Sequence, residues 1–115
     1  MQLSFQASED EHYACRRAAV QVRAVAVGLK GLSDKDARQC DKYAATLEAI
    51  AAAAGDVTIT DEQKIDIEQA SFLLEGIRNG LDNAELDTGA EMIERDIQRL
   101  NDLVLRFNSR AGSAR

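Results

Sequence analysis

His12 is the only histidine of the chain, and it stands three residues before Cys15, about one helical turn away. With Cys40, the other cysteine, these side chains offer the nitrogen and sulfur donors of a tetrahedral zinc site. Spacing argues against that site. A helical hairpin turning near residues 31–33 sets Cys40 opposite Val25 and Cys15 opposite Ile50. The thiols are then about ten residues out of step, ~15 Å at helical rise. That is beyond both disulfide reach and metal coordination. The expectation is two buried, reduced, unbridged thiols and a surface histidine.

Glu9-x-x-His12 has the spacing of a ligand pair in a di-iron bundle. Such a site needs a second pair and further core-facing glutamates, which a chain with one histidine does not supply. Glu91-x-x-Glu94, with Asp61, Glu62 and Asp66, offers another chemistry. Carboxylates on facing helices hold magnesium and phosphate in all-α metal-dependent nucleotide hydrolases. Here the periodicity sets Glu94 on the outer face of its helix, and the acids at 61–66 suit the N-terminal end of a helix dipole. No Walker-type phosphate loop occurs, and no base relay serves a Ser or Cys nucleophile. The sequence is read as noncatalytic, with no metal and no cofactor; a metal-dependent nucleotide hydrolase is the first alternative.

Arg16, Arg23 and Lys30 recur every seven residues and form a basic stripe. In a basic protein this would be a phosphate track, but the net charge is −6. The stripe is therefore read as the rim of a protein interface, with a dimeric nucleic-acid-binding regulator as the second alternative. Charge is uneven along the chain. Residues 1–55 hold seven acids and seven bases, whereas residues 56–105 hold thirteen acids against Lys64, Arg78, Arg95 and Arg99. An acidic half of this kind steers a basic partner surface.

These residues need helices to position them, and the composition supplies helices. Ala is abundant, Pro is absent and Trp is absent, which favours long uninterrupted helices in one domain of 115 residues. Four helices follow from caps and periods. Ser8 with Glu11 forms a capping box that opens the first at about 9–30, and Gly31 suits a left-handed stop. Ser33 opens the second at about 34–54, closed by Gly55. Thr60 with Gln63 opens the third at about 61–80, closed by Gly80, and Thr88 with Glu91 opens the fourth at about 89–108. Leu47, Leu74, Ile97 and Leu100 sit at the centres of the apolar stripes.

Similar helix lengths and short connections predict a mainly α fold, a four-helix antiparallel bundle or two αα-hairpins. Segments 2–5 (QLSF) and 57–60 (VTIT) alternate apolar and polar residues at the same end of that bundle, so a short two-stranded β-ribbon is expected there. Residues 1–108 then form the single helical domain, and 109–115 a disordered basic tail. The start, MQLSFQASEDEHY, lacks a signal peptide's basic and apolar regions, and no stretch spans a bilayer. The expected location is the cytoplasm. Arg outnumbers Lys ten to four, which fits a GC-rich bacterial or phage genome.

The first helix has apolar residues on two sides. Cys15, Ala18, Val22, Val25, Leu29 and Leu32 mark a core stripe, and Tyr13, Val20, Ala24 and Val27 lie opposite. One face suffices for an amphipathic helix. The third helix likewise sets Ile65 and Phe72 opposite its core stripe, flanked by Asp61, Glu68 and Glu75. The second faces are covered by the chain's own ribbon and tail, by a second copy across a two-fold axis, or by a different protein. The candidate partner-binding residues are Tyr13, Arg16, Val20, Arg23, Val27, Ile65, Glu68, Phe72 and Glu75. The functional expectation is a small protein-binding module, an adaptor, regulator or inhibitor that occludes a surface on a larger bacterial or phage-related target. A homodimer is expected.

Overall fold

Capping chemistry decides where three of the four helices begin. The structure, a computed structural model, describes residues 1–113. Strand β1 (Gln2–Phe5) leads into α1 (Glu9–Leu29), where the Ser8 hydroxyl accepts the Glu11 N–H and the Glu11 carboxylate accepts the Ser8 N–H. Helix α2 (Asp34–Ala52) starts at Ser33 and is followed by β2 (Val57–Thr60). Thr60 and Gln63 close a second box at the head of α3 (Asp61–Asn83), and α4 (Asp87–Ser113) completes the chain. Gly31, at φ +83°, makes the left-handed turn between α1 and α2.

The fold is mainly α, a helical bundle with a small ribbon, as the sequence predicts. Strands β1 and β2 pair antiparallel in the register Leu3↔Ile59 and Phe5↔Val57. Phe5, Val57 and Ile59 turn into the core, while Ser4 and Thr58 face out and share a hydroxyl hydrogen bond of 2.9 Å. Two strands alone are marginal. These two gain their stability from the apolar side chains they bury against the helices.

The helices form a ring. α1 packs most extensively on α2 and α3 on α4; α1 also meets α4, and α2 meets α3. Helices α1 and α3 therefore lie across a diagonal. Buried carboxylates, each met by a partner from the neighbouring helix, tie the helices together. Asp96 of α4 takes Arg17 of α1 at 2.7 Å, and Asp66 of α3 takes Thr46 of α2 at 2.7 Å and Lys42 at 3.1 Å. Glu11 of α1 takes Arg106 of α4. Leu47, Leu74, Ile97 and Leu100 are buried, as their stripes predict. α1 buries its core side largely through small residues, Ala14, Cys15, Ala18, Ala19, Val22 and Ala26.

Helix ends depart from the sequence reading. Gly80 lies inside α3, which runs to Asn83 and closes on a Schellman motif: Leu86 N–H bonds to the Leu81 carbonyl at 2.9 Å and Glu85 N–H to Asp82 at 3.0 Å. Glu85 occupies the left-handed position at φ 60°, where glycine is usual. α4 consequently starts at Asp87, its first carbonyl acceptor being Leu86, which takes the Ala90 N–H at 3.1 Å. Thr88 falls within the first turn, so no Thr88–Glu91 capping box forms. Helix α2 ends before Gly55, with Ala53 extended. Leu32, placed in the core stripe by periodicity, is 83% exposed because α1 stops at Leu29 and the turn swings it outward. Residues 109–113, read from composition as tail, continue α4, and Ala111 packs against the core. Residues 114–115 of that tail lie outside the described residues.

Candidate protein-binding faces

Among the described residues nothing covers the outer side of α1. Tyr13, Val20, Ala24 and Val27 are exposed, Val20 at 64% and Val27 at 66%. Among the described residues neither the ribbon nor α4 covers them. The Arg16 guanidinium lies over the Tyr13 ring, 5.7 Å from its centre, and fixes that end of the stripe. Arg23 reaches instead to α2, meeting Asp41 at 3.0 Å and Glu48 at 2.6 Å. Its hydrogen bond with Glu48 raises the Arg23 pKa and holds the Glu48 carboxyl below its ordinary value. Arg23 thus serves the α1–α2 seam first and the rim second. Lys30 is exposed and makes no salt bridge among the described residues. A shallow groove of about 220 Å³ runs beside the stripe, lined by Arg16, Ala19, Val20, Glu48, Ala51 and Ala52.

The outer side of α3 is equally open, with Ile65 at 52% exposure and Phe72 at 64%. Leu105 of α4, at 64%, extends this patch, and sequence reasoning missed it. One leucine beside a regular stripe carries no periodic signal of its own. Between Phe72 and Leu105 runs a groove of about 420 Å³, lined also by Glu68, Ser71, Glu75, Asn101 and Val104. Its floor is held by the Ser71 hydroxyl donating to Asn101 Oδ1 at 3.1 Å. Glu68 lies 3.5 Å from Lys64, and Glu75 makes no salt bridge among the described residues. The rim is acidic, as expected.

The nine candidate residues form two sites. Tyr13, Arg16, Val20, Arg23 and Val27 belong to α1; Ile65, Glu68, Phe72 and Glu75 belong to α3. Because α1 and α3 are diagonal in the ring, these faces look to opposite sides of the bundle. A two-fold dimer that joins the α1 face to the α3 face needs both in one continuous surface. The fold does not provide that surface.

The chemistry-bearing residues resolve differently. His12 is half-buried, where a surface position was expected, and its Nδ1–H donates to the Ile50 carbonyl at the end of α2, 2.9 Å away. Cys15 and Cys40 are buried and unbridged. Burial, with the Asp96 charge added, pushes the Cys15 thiol up to about 12; burial also raises Cys40, with Asp36 and Asp41 contributing. Glu91 and Glu94 lie at the α3–α4 turn, where Glu94 is tied to Arg78. Asp61, Glu62 and Asp66 lie at the other end of that hairpin, engaged with the Met1 ammonium and Lys42. The two acidic groups do not converge. Among the described residues no cluster of three or more His, Cys, Asp or Glu side chains is placed to hold a metal ion, and no helix is long and apolar enough to cross a membrane.

No family model matches the chain, and no curated protein or solved structure shows significant similarity to it.

Proposed function

We propose that the chain is a small noncatalytic protein-binding module that works in the cytoplasm of a bacterial or phage-infected cell. It docks through the outer faces of α1 and α3. As an adaptor, regulator or inhibitor it acts by covering a surface on a larger protein. One observation carries this reading. Val20 and Val27, and likewise Ile65 and Phe72, are more than half exposed and occur as stripes, whereas exposed apolar residues on a monomer's surface are ordinarily scattered. The rims add selectivity, since basic Arg16 and Lys30 on one side and acidic Glu68 and Glu75 on the other favour partners of opposite charge.

Affinity capture from the native host tests it. Wild type and the single variants Val20→Asp and Phe72→Asp serve as baits, each first checked for an unchanged far-ultraviolet circular dichroism spectrum. Loss of a captured protein by about tenfold or more in one variant identifies the face used. A set of captured proteins retained equally by both variants removes this reading.

A further inference from the structure

The two outer faces carry one pattern with opposite charge. Arg16, Val20, Arg23, Val27 and Lys30 follow one another at intervals of four, three, four and three residues. Asp61, Ile65, Glu68, Phe72 and Glu75 on α3 follow at the same intervals. On each helix the charged residues therefore flank the apolar pair along the same edge, by helical periodicity. Two helices packed face to face bring like edges together only when antiparallel, because the rotation that reverses the chain direction keeps the edge on its side. Val20 then meets Phe72, Val27 meets Ile65, and Arg16, Arg23 and Lys30 come beside Glu75, Glu68 and Asp61. Within the chain Arg23 is already held by Asp41 and Glu48, and Asp61 by the Met1 ammonium. Among the described residues Arg16 and Glu75 form no salt bridge, so this pair is free to set the register.

We infer that, when no larger target occupies them, these faces take a second copy of the chain, with α1 of one molecule docked antiparallel on α3 of the next. This rests on the reading of both faces as binding surfaces. The diagonal placement of α1 and α3 makes the contact head to tail. Each pairing leaves one α1 face and one α3 face open at the ends, so association continues beyond the dimer.

Light scattering and sedimentation over a concentration series test the arrangement. The wild-type mass is expected to rise past two chains of 12.6 kDa as concentration increases. Val20→Asp and Phe72→Asp are each expected to be monomeric with wild-type helical content. Mixed in equal amounts they form a one-to-one dimer and nothing larger, since one intact α3 face remains to meet one intact α1 face. Arg16→Glu or Glu75→Arg alone weakens association by about tenfold or more, and the two together in one chain restore it. Should Val20→Asp or Phe72→Asp fail to fold, Val27→Asp or Ile65→Asp takes its place. A wild type that stays monomeric at about 1 mM overturns the proposal. So does a single-face variant that still dimerises, or a mixture that remains monomeric. Host capture that succeeds while copies fail to associate leaves the binding-module reading standing and removes only this one.

Discussion

Asp96 is 2% exposed, and Arg17 meets it with contacts from Nε at 3.1 and 3.2 Å and from Nη2 at 2.7 Å. Arg23 also bridges two acids, but all three of its group lie at the surface. The environments dictate different costs. Arg17→Ala strands a buried carboxylate and is expected to lower stability by about 3 kcal/mol. Arg23→Ala should cost under about 1 kcal/mol, because water and salt screen the pair. Urea denaturation of both variants at pH 7 checks the order. Glu48, held below its ordinary value near 4.5 by Arg23, contributes stability above that pH and loses it as the pH falls through its folded-state value. The Arg23→Ala deficit should shrink over the same range. Glu85 presents the opposite case, a residue that costs stability. At φ 60° its Cβ is crowded, so Glu85→Gly should raise stability by about 0.5–1 kcal/mol in the same assay, the extra chain entropy of glycine offsetting part of the relief. A lowered midpoint would show that the Glu85 side chain makes a compensating contact.

Among the elements, what the sequence reveals is what is local. Ser8–Glu11 and Thr60–Gln63 are boxes closed over three residues, and both stand where their motifs predict. The ribbon was legible because its alternation and its place at one end of the bundle agreed. Helix ends were not, since they follow from how a turn packs. Gly80 is a glycine without a turn, and Glu85 is a turn without a glycine. Thr88 has the right neighbours but stands two residues past the cap position at Leu86, because the Schellman turn brings the chain into α4 at Asp87. The contrast is measurable. Ser8→Ala and Thr60→Ala should each cost about 1 kcal/mol, while Thr88→Ala, within a first turn it does not cap, should change stability by a few tenths at most. Equal losses at all three positions would mean that Thr88 caps α4 in solution.

At the scale of the molecule, the core was readable from periodicity, and the candidate site only in part. A helical wheel tells which side of α1 or α3 is left over, and both leftover sides are indeed exposed. It does not tell where each helix stands in the ring. That depends on contacts between residues far apart in sequence, such as Arg17 with Asp96 and Ser71 with Asn101. Hence the surplus faces were found, while their separation across the diagonal and the contribution of Leu105 were not.

Four helices running alternately up and down return the chain to where it started. Arg106 and Arg110, near the end of α4, lie 5.3 and 5.7 Å from the centre of the Phe5 ring, and Arg106 Nη1 donates to the Gln6 carbonyl at 2.6 Å. The core is thus nearly indifferent to where the polypeptide is cut. A circular permutant that joins residue 113 to Met1 through a glycine–serine linker long enough to run back along β1, and opens between Gly31 and Leu32, should keep the buried side chains in place. Its melting temperature should fall by several degrees at most, the loss reflecting the surface pair of Met1 with Asp61 and the freed turn at Gly31. An unfolded permutant would mean that the α1–α2 connection must be intact for the bundle to assemble.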